Sequence, residues 1–242
     1  MEKFEQEKER EIYYAKIDFF TNVAHEIRTP LTLINGPLEN ILLRKTVDPE
    51  IREDLNIMKQ NTERLLSLTN QLLDFRKTES QGFRLNFAEC NVTEVLKETY
   101  NRFTSLARQR ELDFVLNVAE QDFYAHVNKE AFTKIVSNLL NNAVKYAETY
   151  VHVFLEMNGI GEKRMFYIRT VNDGVIIPNE MKEEIFKPFV RFNEKEDGKV
   201  TTGTGIGLAL SRSLAELHQG SLMMLEGEEA NVFCLSLPVE QD

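Results

Sequence analysis

His25 is the side chain in this sequence whose type and setting best suit nucleophilic chemistry. Apolar residues recur around it at helical spacing, at Phe20, Val23 and Ile27, which predicts an amphipathic helix. If Phe20 takes position a of a heptad, His25 takes position f and faces water. A water-facing imidazole is mostly neutral near pH 7 and offers a ring nitrogen to an electrophile. A lone histidine at such a position is more often an ordinary surface residue, so the case for chemistry depends on the rest of the chain.

Polar neighbours accompany His25 on the predicted helix. Glu26 follows it directly, and Thr29 lies one turn further along the same face. Pro30 lacks a backbone N–H and favours a bend just past the histidine. The sequence therefore groups a nucleophile, a carboxylate and a hydroxyl within about one helical turn.

A second polar stripe lies on a helix predicted over 129–146. Asn138, Asn142 and Lys145 are spaced by four and three residues, which puts them on one helix face. Asparagine has a mediocre helix propensity, so two on one face require an explanation. A solvated polar face is one interpretation. The other is a nucleotide site that includes Tyr146, in which amide oxygens bind Mg²⁺ or its waters and the lysine binds phosphate.

A glycine-rich run at 203–208 precedes the last predicted helix. Its bare backbone amides at a helix N-terminus would suit phosphate oxygens. A dinucleotide-binding βαβ unit is the competing interpretation, but no strand directly precedes the run and no such unit follows it. The candidate phosphate-binding residues are Gly203, Thr204, Gly205, Gly207 and Leu208.

Composition limits the class of protein. The chain has 242 residues, 42% hydrophobic and 28% charged, which fits two modest domains. Its formal net charge of -10 argues against direct nucleic acid binding by this segment. No apolar run approaches the roughly 20 residues of a membrane span, and no signal peptide is evident. Cys90 and Cys234 are isolated and are expected to be thiols.

The first 80 residues predict a helical hairpin. Residues 1–18 read as an incoming coiled-coil helix, and 19–80 as two helices whose apolar seams match in period. Asp48-Pro49-Glu50 is a typical helix start, with Asp48 as the N-cap. A hairpin alone buries too little apolar surface, so we expect two copies to form a four-helix bundle.

Residues 83–242 predict a second domain of a different kind. Strands and helices mix there without regular βαβ alternation, which favours an α/β sandwich and an α+β chain overall. Strands are expected over 83–87, 112–118, 122–127, 150–157, 165–171, 221–225 and 232–237, and helices over 92–110, 129–146, 179–186 and 207–218.

Short motifs along the chain resemble those of sensor histidine kinases, in the same order. The run around His25-Glu26-Ile27-Arg28-Thr29-Pro30 resembles the H-box. Residues 138–146 resemble the N-box of the GHKL ATP-binding fold, 186–192 the F-box and 203–208 the G2 box. Two segments, residues 16–22 and 31–39, resemble the corresponding parts of hybrid two-component sensors of Bacteroidetes that control polysaccharide use. The resemblance covers the chain from about residue 19 to 238.

One motif departs from the family pattern. Where these kinases usually have D-x-G-x-G-I-P, this chain has Asn172-Asp173-Gly174-Val175-Ile176-Ile177-Pro178. Asn172 then stands at the place of the Asp that accepts a hydrogen bond from the adenine amino group, with Gly174 two residues on. Ile176 replaces the second glycine and adds bulk. Both changes are expected to weaken ATP binding, which makes a pseudokinase signalling module the alternative function.

The resemblance implies ATP-dependent autophosphorylation of His25 and transfer to an Asp of a response-regulator receiver domain, in a separate protein or the same polypeptide. It implies Mg²⁺ held by Asn138 and Asn142, a proton-accepting or orienting role for Glu26, and a phosphatase water placed by Thr29. Arg191 is expected to approach the phosphates, beside a lid over 193–202. The segment would be cytoplasmic, in a protein anchored in the inner membrane. A GHKL ATPase of the chaperone or mismatch-repair kind is a further alternative.

Overall fold

The computed structural model describes residues 2–44, 48–80, 82–158, 164–192, 205–227 and 229–241; at positions 2–16, 18, 19 and 158 it describes the backbone alone. The chain divides into two compact units, Met1–Ser80 and Gln81–Asp242. No helix in the described part of the chain combines the length and apolar character that crossing a membrane requires.

The first unit is a hairpin of two long helices, α1 (Glu2–Leu42) and α2 (Pro49–Glu79). Helix α2 begins as predicted, because the Asp48 side chain accepts the backbone N–H of Glu50 at 2.9 Å. Arg52 closes the turn by donating to the carbonyl oxygens of Leu42 and Arg44, both at 2.8 Å. Helix α1 continues through Pro30, so this proline does not end it.

Apolar side chains of α1 form two heptad rows instead of one seam. Ile17, Ala24, Leu31 and Leu38 recur every seven residues and are buried within the hairpin. A second row stays exposed in the single chain, at 39% for Ile27, 45% for Ile34 and 36% for Ile41 on α1, and 56% for Ile51, 52% for Met58 and 44% for Leu65 on α2. These six residues are called the outer apolar row below.

The second unit is an α+β fold. Its strands are β1 (Ala88–Asn91), β2 (Asp113–Asn117), β3 (Tyr124–Val127), β4 (Tyr150–Asn158), β5 (Met165–Asn172), β6 (Ser221–Leu225) and β7 (Asn231–Pro238). Its helices are α3 (Val92–Gln109), α4 (Lys129–Tyr146) and α5 (Gly207–Leu217), with short 3-10 helices at Asn179–Met181 and Glu184–Phe186.

One five-stranded sheet organises this unit, in the order β2-β4-β5-β7-β6. Strands β2 and β4 run parallel, and the other neighbours are antiparallel. Strand β5 lies at its centre and buries every second residue, including Phe166, Ile168 and Asn172. Helix α4 buries Phe132 and Ile135, both 0% exposed, on the core side. Asn128 caps this helix as predicted, accepting the backbone N–H of Ala131 at 2.9 Å.

Two predicted elements differ from the structure. Residues 83–87 are not a strand; β1 begins at Ala88 and pairs with β3 in a separate two-stranded sheet. Side chains at 83–87 do alternate between half-buried and exposed, so the pattern of a strand is present without the paired backbone that makes one. The helix predicted over 179–186 is two 3-10 turns separated by Lys182 and Glu183.

Candidate functional site

His25 is exposed on α1, and Glu26 and Thr29 are exposed beside it. Ala24, the residue before the histidine, is 3% exposed and faces the inside of the hairpin. The position of the imidazole thus agrees with the heptad prediction. Arg28, one turn further on, donates to Asn70 Oδ1 on α2 at 2.6 Å. This bond braces the helix surface next to the histidine.

In the second unit, Asn138 joins the asparagine stripe of α4 to the start of α5. Its Nδ2 donates to the carbonyl oxygen of Gly207 at 3.3 Å and to Ser211 Oγ at 3.1 Å. Both bonds use Nδ2, so neither uses Oδ1, the atom that a cation would take. Asn142 is half-buried one turn further along α4. The stripe therefore borders the N-terminus of α5.

Ile206 occupies the N-cap position of α5, and its apolar side chain makes no capping hydrogen bond. The backbone N–H groups in the first turn of a helix attract anions such as phosphate. Gly207 and Leu208 lie half-buried in this first turn. The motif therefore has the chemistry expected of a phosphate site, next to Asn138.

Gly205 occupies a backbone position that excludes side chains. Its φ is +68°, and a Cβ there would lie 2.7 Å from the carbonyl oxygen of Val190. Its own carbonyl accepts the backbone N–H of Phe189 at 2.9 Å. Arg191, two residues after Phe189, is half-buried. Gly203, Thr204 and the predicted lid, Asn193 to Thr202, lie outside the described residues.

The end of α4 meets the loop after β5. A Cβ on Gly174 would lie 2.0 Å from the carbonyl oxygen of Tyr146, so only glycine fits there. Lys145 Nζ donates to the Tyr146 hydroxyl at 2.9 Å. Arg110 caps this helix end by donating to the carbonyl oxygens of Lys145 at 2.6 Å and Ala147 at 3.2 Å. Sequence reasoning missed Arg110, because nothing local marks a partner 35 residues away.

Asn172 and Asp173 play different parts at this loop. Asn172 is 2% exposed, and its Oδ1 accepts the backbone N–H of Gly174 at 3.2 Å. The Asp173 carboxylate accepts backbone N–H groups of residues 148–150. Burial raises the pKa of Asp173, but hydrogen bonds from the Thr149 hydroxyl and these backbone groups outweigh it and lower the pKa to about 2. The charged Asp173 carboxylate thus binds and fixes the backbone of residues 148–150.

The aromatic motif at 186–192 anchors to the core at its first residue. Phe186 is 4% exposed and packs edge-on against Phe233. The Arg212 guanidinium lies 3.8 Å from the Phe186 ring centroid and bonds Glu183 Oε2 at 2.7 Å. Arg212 is another residue that the sequence did not single out.

A divalent cation would be held here by neutral oxygens. Within the described ranges, no three His, Cys, Asp or Glu side chains cluster so as to hold a metal. Asn138 and Asn142 offer amide oxygens, and Mg²⁺ commonly combines a few protein oxygens with waters and substrate phosphates. The donor set on α4 fits that kind of site.

The sequence matches known families in two segments. Residues 15–81 match the His Kinase A phospho-acceptor domain, and residues 127–241 match the histidine kinase-, DNA gyrase B- and HSP90-like ATPase domain. Histidine kinase P4 of Formosa agariphila is 32% identical over 242 residues, 99% of this chain and 18% of that protein. Sensor histidine kinase WalK of Bacillus subtilis is 28% identical over 229 residues, 93% of this chain and 37% of that protein. This chain thus spans well under half of these relatives.

Solved structures share the fold. Full-length ShkA, crystallised with AMPPNP, gives a TM-score of 0.75 at 22% identity, over 93% of this chain and 46% of that one. The catalytic domain of ThkA gives 0.55 at 25% identity, over 64% of this chain and 97% of that one. The two domain matches in this order, together with the 32% identity to the Formosa kinase over 99% of this chain, show that the chain belongs to the sensor histidine kinases and forms their kinase core.

Proposed function

We propose that the second unit binds ATP with Mg²⁺ and that the γ-phosphoryl group is transferred to His25. The observation that carries this proposal is the bond from Asn138 to Gly207, which sets an amide suited to a cation beside the first turn of α5, where backbone N–H groups attract phosphate. Asn138 and Asn142 would hold the cation. Lys145 and the run at 203–208 would neutralise phosphate charge.

The transfer forms a nitrogen–phosphorus bond at a ring nitrogen of His25 and breaks the bond between the γ-phosphorus and the β,γ-bridging oxygen. ADP leaves with the electron pair of that bond. Glu26 would orient the imidazole or accept its proton. Thr29 would place the water that reverses the modification by hydrolysis. The exposure of all three side chains supports this assignment, since the reaction needs an accessible histidine.

The nucleotide base would lie against Asn172, Gly174 and Tyr146. The close approach of Gly174 to Tyr146 supports this grouping, because it joins the loop after β5 to the end of α4. Arg191 would contribute positive charge near the phosphates.

The phosphoryl group on His25 would pass to an Asp of a receiver domain. The Dictyostelium discoideum relative, 32% identical over 222 residues (89% of this chain and 14% of that protein), is named a hybrid signal transduction histidine kinase. A receiver within the same full-length polypeptide is therefore part of the proposal, as is anchoring of that protein in the inner membrane. The outer apolar row supports a homodimer, because its exposed heptad spacing is that of a helix-bundle interface.

A pseudokinase is the second candidate. Asn172 is uncharged where the family has a carboxylate, and Ile176, 40% exposed, replaces a glycine. Such a module would keep the dimer and lose ATP binding.

Nucleotide titration separates the two candidates. We expect calorimetry with AMP-PNP and Mg²⁺ to give saturable binding to the wild-type chain. Asn142→Ala should weaken it at least about tenfold, the effect of losing about one polar contact. Asn141→Ala is the matched control, since Asn141 is the exposed neighbour off the stripe. Absence of binding to the wild-type chain would favour the pseudokinase.

A further inference from the structure

We infer that Asn231 is a positioning residue of the nucleotide site, which sets the shape of the loop that follows β5. This inference rests on the proposed function. Asn231 begins β7 and is 3% exposed. Its Nδ2 donates to the carbonyl oxygens of Gly174 at 3.2 Å and Val175 at 3.0 Å. Its Oδ1 accepts the backbone N–H of Ile177 at 3.0 Å. One buried amide thus holds both sides of a single loop.

The loop has little other support. Among the described residues, the backbone of 174–177 makes its hydrogen bonds to two side chains, those of Asn172 and Asn231. These asparagines are direct cross-strand partners at the ends of β5 and β7. The shape of the loop therefore depends on two side chains and not on a backbone ladder.

The remaining contact limits where the loop can move. Gly174 already lies against the Tyr146 carbonyl, at a distance that admits no Cβ. Val175 and Ile176 lie on the outer side, 42% and 40% exposed. Without the Asn231 side chain, the loop keeps its close approach to Tyr146 but loses three of its four hydrogen bonds to side chains. Asn172, which the proposed function places against the base, would then lose the fixed geometry of its partner Gly174.

Two substitutions distinguish the donor role of Asn231 Nδ2 from the acceptor role of its Oδ1. Asn231→Ala removes all three bonds. Asn231→Asp keeps an acceptor for the Ile177 N–H but sets a carboxylate oxygen against the carbonyls of Gly174 and Val175. Both should raise the Kd for AMP-PNP about tenfold or more, since each loses at least two buried hydrogen bonds.

The experiment measures AMP-PNP·Mg²⁺ binding by calorimetry on the full 242-residue chain. The control is Thr99→Val, which removes a buried bond from Oγ1 to the Val95 carbonyl on α3, away from the loop. Amide hydrogen exchange at Ile177 is the second readout. We expect protection there to fall in Asn231→Ala and to persist in Asn231→Asp and Thr99→Val.

A structural role alone would lower stability in every variant without a selective change in Kd. If the wild-type chain binds AMP-PNP and Asn231→Ala binds it with the same Kd, this inference is overturned and the proposed function stands. Failure of the wild-type chain to bind AMP-PNP would overturn the proposed function and this inference together. We expect Asn231→Ala to show a higher Kd and an unprotected Ile177 amide, and Thr99→Val to keep wild-type affinity and a protected Ile177 amide.

Discussion

His218 Nε2 accepts the backbone N–H of Asn128 at 3.1 Å, so the C-cap residue of α5 is bonded to the N-cap residue of α4. Its Nδ1 donates to the carbonyl oxygen of Leu214 at 2.7 Å. These two partners define a neutral imidazole with its proton on Nδ1, since Nε2 must be free to accept. The ring is fully buried and packs near Phe87, at 5.4 Å between ring centroids. This histidine links the two helices that carry the candidate phosphate and metal residues.

This geometry predicts a pH dependence of stability. Burial lowers the pKa of His218 below its ordinary value, and this effect exceeds the opposing hydrogen bond to the Leu214 carbonyl. The unfolded chain therefore binds a proton below about pH 6.5 that the folded chain resists. The stability it contributes is present above that pH and is lost as pH falls.

We expect the free energy of unfolding, measured with urea, to fall from pH 7.5 to 5.5 in the wild-type chain. His218→Gln should be less stable at pH 7.5, by about 1–3 kcal/mol, and lose less on acidification. An equal loss in both proteins would contradict the account.

Asp173 predicts a second acid-sensitive contact. Its pKa of about 2 lies below the ordinary 3.8, so its stabilising effect is present above about pH 3.8 and is lost as pH falls toward 2. Asp173→Asn removes the charge and replaces one of the two acceptor oxygens with an NH₂ donor, which then faces the backbone N–H groups of residues 148–150. We expect a loss of about 2 kcal/mol at pH 7, read by thermal unfolding. Asp122→Asn, at an exposed carboxylate bonded to Asn91, should change stability little.

The outer apolar row predicts the effect of a charge on self-association. Ile34→Lys would bury an unpaired charge in the bundle interface and should weaken the dimer at least about tenfold. Leu33→Lys is the matched control, because Leu33 is 70% exposed and lies next to the row, outside it. Sedimentation should find Ile34→Lys monomeric at concentrations where Leu33→Lys is dimeric. Identical sedimentation of the two variants would rule out this interface.

Two glycines predict opposite effects of alanine. Gly174→Ala would place Cβ 2.0 Å from the Tyr146 carbonyl oxygen, and we expect it to destabilise the second unit by more than about 2 kcal/mol. Gly36 lies within α1 with open space around it. Gly36→Ala should stabilise the hairpin by about 0.5–1 kcal/mol, because alanine favours helix. Thermal unfolding of both variants against wild type tests the contrast.

Local signals in the sequence predict much of this fold. Helix α4 has the predicted bounds, because its asparagine cap and apolar spacing lie within the helix and its flank. The kinase family and the α+β fold class are confirmed. The strand predicted at 83–87 was wrong, since pairing depends on a partner that no local pattern reveals. Likewise, spacing alone does not tell which of two heptad rows on α1 faces α2 and which faces solvent.

The residues missed by sequence reasoning share one property. Asn231, Arg110 and Arg212 act on partners 57, 35 and 29 residues away. Each is a single polar residue in an ordinary element, with no motif around it. The roles proposed for Asn138, Asn142 and Lys145 in nucleotide binding stay predictions, which nucleotide titration tests.

Phosphorylation of His25 is the central claim, and incubation with γ-labelled ATP and Mg²⁺ tests it directly. His25→Gln is the control, since His25 is exposed and its replacement should leave the hairpin folded. We predict label on the wild-type chain that is acid-labile and base-stable, as a phosphoramidate is, and no label on His25→Gln. Equal labelling of both proteins, or no labelling of a wild-type chain that binds AMP-PNP, would contradict the account.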